Sequence, residues 1–123
     1  LGVLLAYEVA TYLHVPAAYG EKNADGKRFL RRPEHLQAGQ RVLVVDDVLT
    51  TGSSVRECIE LVESVGAELC GVGLLIDRSG GAVTFGVPTI ALLSLQVQAF
   101  DADAVPDWLA QIPITRPGST GKK

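Results

Sequence analysis

Val3, Leu4, Ala6, Tyr7, Ala10 and Leu13 recur at the spacing of one helical face, so residues 2–13 read as a helix. Pro16 ends it, because a proline ring cannot continue the hydrogen-bond ladder. Residues 15–20 then read as a short strand. The apolar rhythm lapses over residues 21–40, where Phe29 and Leu30 are the large apolar side chains of the first twelve positions. This stretch reads as a long, mobile, basic loop or hairpin, closed by Pro33 and Gly39.

Residues 41–46 restore the pattern as a continuous β-branched run, suited to a parallel strand buried on both faces. A turn over 47–52 follows. Val55, Cys58, Ile59, Val62 and Val65 then place one apolar stripe on a helix over 53–65, stopped by Gly66. Residues 69–76 and 88–95 read as two further buried strands. Strand and helix alternate, which predicts an α/β fold with an open, mainly parallel sheet flanked by helices and right-handed crossovers. The whole of 1–123 reads as one domain. Its tail, 100–123, carries a short helix over 103–111 with Trp108 as a packing anchor.

Composition narrows the class. Of 123 residues, 47% are hydrophobic and 20% charged, which suits an ordinary globular chain and excludes a disordered or collagen-like one. Eleven basic against fourteen acidic residues give −3, so a generally basic nucleic-acid binder is not expected. Cys58 and Cys70 fit neither a disulfide framework nor zinc spacing, and read as small buried hydrophobes in a reduced, cytoplasmic setting. His14 and His35 share no metal-ligand spacing and read as structural. No apolar run is long enough for a membrane span. Residue 1 is Leu, methionine is absent, and the chain opens inside an apolar helical pattern. These features predict a piece of a longer chain lacking its N-terminal part.

The chemistry concentrates in residues 42–54, Val-Leu-Val-Val-Asp-Asp-Val-Leu-Thr-Thr-Gly-Ser-Ser. In an open α/β sheet, ligands bind beyond the carboxyl ends of the strands. Asp46 and Asp47 are delivered to that edge with no cationic neighbour in sequence, although adjacent carboxylates repel each other. They make sense as acceptors for vicinal hydroxyls, as on a ribose, or facing a divalent cation. Thr50, Thr51, Gly52, Ser53 and Ser54 then offer hydroxyl donors, close backbone approach and the N–H groups of a helix start, an anion site suited to a phosphate monoester. Diol acceptors beside a phosphate loop describe a ribose 5-phosphate site. The plainer reading makes the acids solvated strand-end residues and Thr51 or Ser53 an ordinary N-cap. A Walker loop is excluded, because no Gly-Lys-Ser/Thr follows.

This string resembles the phosphoribosyl-pyrophosphate motif of the type I phosphoribosyltransferases. The resemblance implies that Asp46 and Asp47 hold the ribose hydroxyls and take part in catalysis, and that residues 50–54 wrap the 5-phosphate. The rest of the chain is similar to the orotate phosphoribosyltransferases: Gly2 and the helix after it, Glu21-Lys22 before the flexible loop, Asp77-Arg78 at a strand end, and Arg116-Pro117-Gly118-Ser119. That likeness implies a reaction joining orotate to phosphoribosyl pyrophosphate. It puts Thr50 and Arg78 on orotate, and Lys22 and Lys27 in the catalytic loop. It further implies Mg²⁺ held mainly through the substrate's own oxygens with no direct protein ligand, and a homodimer in which one subunit's loop reaches the other's site. Asp25 stands where many members carry a loop lysine, with Lys27 and Arg28 close by. A purine or uracil transferase, or a non-catalytic regulator that senses phosphoribosyl pyrophosphate, are the alternative readings.

Overall fold

The structure, a computed structural model, describes residues 1–113 apart from 99 and 102. The Arg116-Pro117-Gly118-Ser119 ending therefore lies outside the described residues. The first helix, α1, spans Gly2–Leu13 as its periodicity predicts. His14 closes it in the left-handed conformation, φ 55°, its N–H reaching back to the last turn. The strand expected over 15–20 does not form. Pro16 has no N–H to offer a ladder, and the partner strand pairs back only as far as Gly20.

The polar excursion is an antiparallel hairpin of β1, Gly20–Lys22, and β2, Arg28–Leu30. Asn23 shapes its tip: the side-chain oxygen accepts from the N–H groups of Asp25 and Lys27. One 3-10 turn, Pro33–His35, leads on toward the sheet.

The main sheet has three parallel strands in the order β3, β4, β5. They span Arg41–Leu49, Glu68–Asp77 and Thr89–Ser94. β3 runs three residues beyond its predicted end, because its ladder with β4 continues to Leu49 opposite Asp77. Asp47 is thus a strand residue, not a turn residue. Helix α2, Ser53–Ser64, crosses between β3 and β4 and seats Val55 and Val62 against Val44, Leu49, Val72 and Leu74. Cys58 and Ile59 pack at the margin of this core. Both cysteines are free and half-buried.

The two faces of the sheet are unequal. Strand alternation puts Val44, Val72 and Leu74 on the face that α2 covers. Leu43 and Ile90 share the other face, where Ile90 is 69% exposed and Leu92 79%. The last helix, α3, is a single turn, Asp107–Ala110, shorter than expected because Pro106 fixes its start. Trp108 meets Phe100 edge to face at 6.4 Å.

Core and open face predict different mutational costs. Leu49 is 1% exposed, so Leu49→Ala should destabilise this chain by about 2–5 kcal/mol in urea melts. Leu92→Ala should change it by no more than about 0.5 kcal/mol. Similar losses at both positions would mean that the open face is packed.

Candidate functional site

The site is built where β3 hands the chain to α2. Asp46 lies within the ladder opposite Leu74, and Asp47 follows it. The Asp47 N–H donates to Asp46 Oδ1 at 3.0 Å. Both carboxylates are half-buried, and neither forms an ion pair among the described residues. Burial pushes the Asp46 carboxyl above the usual carboxylate range, and the Asp47 carboxyl beside it pushes the same way, while the N–H bond from Asp47 pulls it down in part. The Arg28 guanidinium, from the hairpin, offsets this in part. The cationic neighbour missing in sequence is therefore supplied in space, but not in contact.

α1 returns to the same place. A Cβ at Gly2 would stand 2.9 Å from Asp46 Oδ1, so a larger residue at this helix start would oblige the Asp46 carboxylate to shift. The turn 50–52 leaves β3 with Gly52 at φ 82°, a left-handed conformation that L side chains rarely adopt. Gly52 is buried, while Thr50, Thr51, Ser53 and Ser54 are exposed. No side chain caps α2. Thr51 Oγ1 bonds Ser53 Oγ at 3.3 Å instead. That removes the reading of Thr51 or Ser53 as a plain N-cap. The first N–H groups of α2 stay available beside a shallow recess of about 30 Å³ that Asp46 and residues 50–54 line together.

Arg78 follows the last β4 residue, level with Thr50. Its N–H donates to the Leu49 carbonyl at 2.8 Å, and its side chain is exposed. Asp77 is not its salt-bridge partner among the described residues. The Asp77 carboxylate accepts from the Ser79 N–H at 2.7 Å, and Ser79, through its hydroxyl first and this N–H second, holds the Asp77 pKa below the usual range. Thr50 and Arg78 are thus brought together at the sheet edge. Lys22 and Lys27 are not brought to the recess. Lys22 Nζ pairs with Glu57 Oε1 at 3.2 Å, one helical turn beyond Ser53, and Lys27 lies exposed near the hairpin tip. Arg28 is the hairpin's anchor, with Nε on Glu57 at 2.9 Å and Nη1 on the Gly20 carbonyl at 3.0 Å. Sequence reasoning missed Glu57. It reads as one more exposed acid on a helix, and its partners lie 29 and 35 residues away. No cluster of three or more His, Cys, Asp or Glu able to hold a metal occurs among the described residues. No helix among them is long and apolar enough to cross a membrane.

A parallel sheet, an acid pair and a hydroxyl-bearing loop at an uncapped helix start thus meet at one sheet edge. A family model described as "Phosphoribosyl transferase domain" matches residues 1–85, and the chain belongs to that family. Within it, the chain is 48% identical over 118 residues to an orotate phosphoribosyltransferase of Caulobacter vibrioides, covering 96% of this chain and 60% of that protein. An orotate phosphoribosyltransferase of Thermotoga maritima is 45% identical over 122 residues, covering 99% of this chain and 65% of that one. The chain thus spans less than two thirds of the length of these curated relatives. Among solved structures, the orotate phosphoribosyltransferase of Aeropyrum pernix superposes with a TM-score of 0.61 at 29% identity, over 78% of this chain and 57% of that one.

Two outcomes follow from the geometry. A half-buried acid whose pKa is raised by the fold adds stability below its ordinary pKa, and that stability is lost as pH rises through the raised value. Asp46→Asn should therefore raise the melting temperature more at pH 7 than at pH 3.5, compared with the unsubstituted chain. A gain that is flat or reversed with pH would contradict the burial account. Gly52→Ala should cost at least about 1–2 kcal/mol from its left-handed backbone alone. Its Cβ would also press on Val83 Cγ1 at 2.8 Å.

Proposed function

We propose that the protein transfers a phosphoribosyl group from phosphoribosyl pyrophosphate to orotate, giving orotidine 5-monophosphate and pyrophosphate in pyrimidine synthesis. The observation that carries this reading is the half-buried Asp46–Asp47 pair set beside an uncapped α2 and its hydroxyl-bearing loop. Two carboxylates are good acceptors for two vicinal hydroxyls, and free N–H groups at a helix start suit a phosphate. The names of the curated relatives support the choice of orotate.

In this reading Asp46 and Asp47 accept from the ribose hydroxyls. Residues 50–54 hold the 5-phosphate through hydroxyl and backbone donors. The bond from the anomeric carbon to pyrophosphate breaks as a bond to a ring nitrogen of orotate forms, through an oxocarbenium-like state. The chain's part is placement and electrostatics. The carboxylate of orotate meets the exposed Arg78 guanidinium, whose planar fork suits it, with Thr50 alongside. The acid pair would tolerate Mg²⁺ carried mainly on the substrate's own oxygens, with no direct protein ligand. The ion would neutralise charge on the departing pyrophosphate. Lys22 and Lys27 serve the same charge from the hairpin. For Lys22 that requires release from Glu57. The active form is a homodimer in the cytoplasm, with the hairpin of one subunit serving the other.

Offering orotate, adenine, hypoxanthine and uracil to the natural gene product tests the base. Turnover of orotate alone is expected, and turnover of a purine without orotate would overturn the assignment. Operator binding in place of turnover would mark a regulator. Arg78→Ala should raise the orotate KM by about 10- to 100-fold and that of the phosphoribosyl donor far less. Equal effects on the two substrates would make Arg78 structural.

A further inference from the structure

The segment between β4 and β5 carries residues that the proposed chemistry does not use. It leaves the sheet at Arg78 and folds back over the phosphate loop. Val83 N–H donates to Ser79 Oγ at 3.4 Å, which tightens the turn. Val83 and Phe85 are partly buried against the core. Both press on Gly52. A Cβ built at Gly52 would meet Val83 Cγ1 at 2.8 Å and two Phe85 ring carbons at 3.3 Å. The turn at Gly52 is therefore held between its own left-handed backbone and two apolar side chains from another part of the chain.

Arg56 closes the arrangement from α2. Its guanidinium carbon lies 5.2 Å from the centroid of the Phe85 ring, within cation–π range. Its Nη2 donates to the Thr84 carbonyl at 3.3 Å. Its own N–H donates to the Gly52 carbonyl at 2.9 Å, in the first turn of the helix. One residue thus holds both sides of the contact, Gly52 through its backbone and residues 84–85 through its side chain. Arg56 is itself exposed, and among the described residues it forms no ion pair. A general stabilising ion pair therefore does not account for it.

We propose that Val83 and Phe85, clasped by Arg56, are positioning residues that set the shape of the 50–54 loop for the 5-phosphate. The clasp also joins that loop to the segment that begins at Arg78, so that phosphate and base ends of the site move as one body. The proposal rests on the reading of 50–54 as a phosphate site. Arg56, Val83 and Phe85 touch the loop and do not line the recess. A phosphate loop binds through several donors at once, so a shift in its shape weakens them together. Displacements of about 1 Å produced at a distance can cost on the order of a hundredfold in such sites.

The test is isothermal titration of the natural gene product with ribose 5-phosphate, with melting curves for every variant. Phe85→Ala should weaken binding at least about tenfold. Arg56→Gln should weaken it about threefold with its melting temperature unchanged, and Arg56→Lys, which keeps a cation over the ring, should restore most of that loss. Wild-type affinity in both Phe85→Ala and Arg56→Gln would overturn the clasp while leaving the phosphate site standing, and so would a fall in melting temperature without weaker binding. If Phe85→Ala does not fold, Arg56→Gln decides: weaker binding supports the clasp and unchanged binding removes it. Absence of ribose 5-phosphate binding in the wild type would overturn the phosphate reading and the clasp with it.

Discussion

Leu49 of β3 stands opposite Asp77 of β4 in a parallel ladder, and the site depends on that register. It sets the carboxyl ends of the two strands level, so that Thr50 and Arg78 leave the sheet side by side. The Arg78 N–H, bonded to the Leu49 carbonyl, extends the ladder one step past the strands. Side chains alternate along a strand, so a slip of one residue would turn Asp46 to the opposite face and send Val44 out of the core. Burial of Val44, Val72 and Leu74 under α2 enforces the register. The apolar core and the polar site are two consequences of one pairing.

The same pairing places an unfavourable charge where it is useful. Asp46 is half-buried, beside a second acid and the start of α1, with no ion-pair partner among the described residues. A fold selected for stability alone would not retain it. Ligand sites are where such arrangements persist. The 50–54 loop is arranged in the same way. α2 begins without a side-chain cap, and its free donors face a recess shared with Asp46.

Much of this was legible in the sequence, and the reasons divide by distance along the chain. α1 and α2 announced themselves because helical spacing is a local signal. The acids and the loop 50–54 were legible because one strand–turn–helix unit carries them all. Strand ends were less so. β3 continues to Leu49 because β4 is there to pair with it, and residues 15–19 stay irregular because the hairpin partner stops at Leu30. Asp77 reads as a partner for Arg78, but the Ser79 N–H captures it first. The Glu57 anchor of the hairpin and the contact of Arg56 with Phe85 were invisible, since each joins residues 28 or more positions apart. Nothing in a single sequence marks which exposed acid meets which base.

The central claim is that Asp46, Asp47 and the 50–54 loop form one ribose 5-phosphate site. A crystal structure of the natural gene product soaked with phosphoribosyl pyrophosphate addresses it most directly. The account predicts the 5-phosphate within hydrogen-bond reach of the N–H groups at the start of α2 and of the Thr51 to Ser54 hydroxyls, with both ribose hydroxyls on the acid pair. A donor seated elsewhere, or one bound at this loop with its ribose turned away from Asp46 and Asp47, would contradict it.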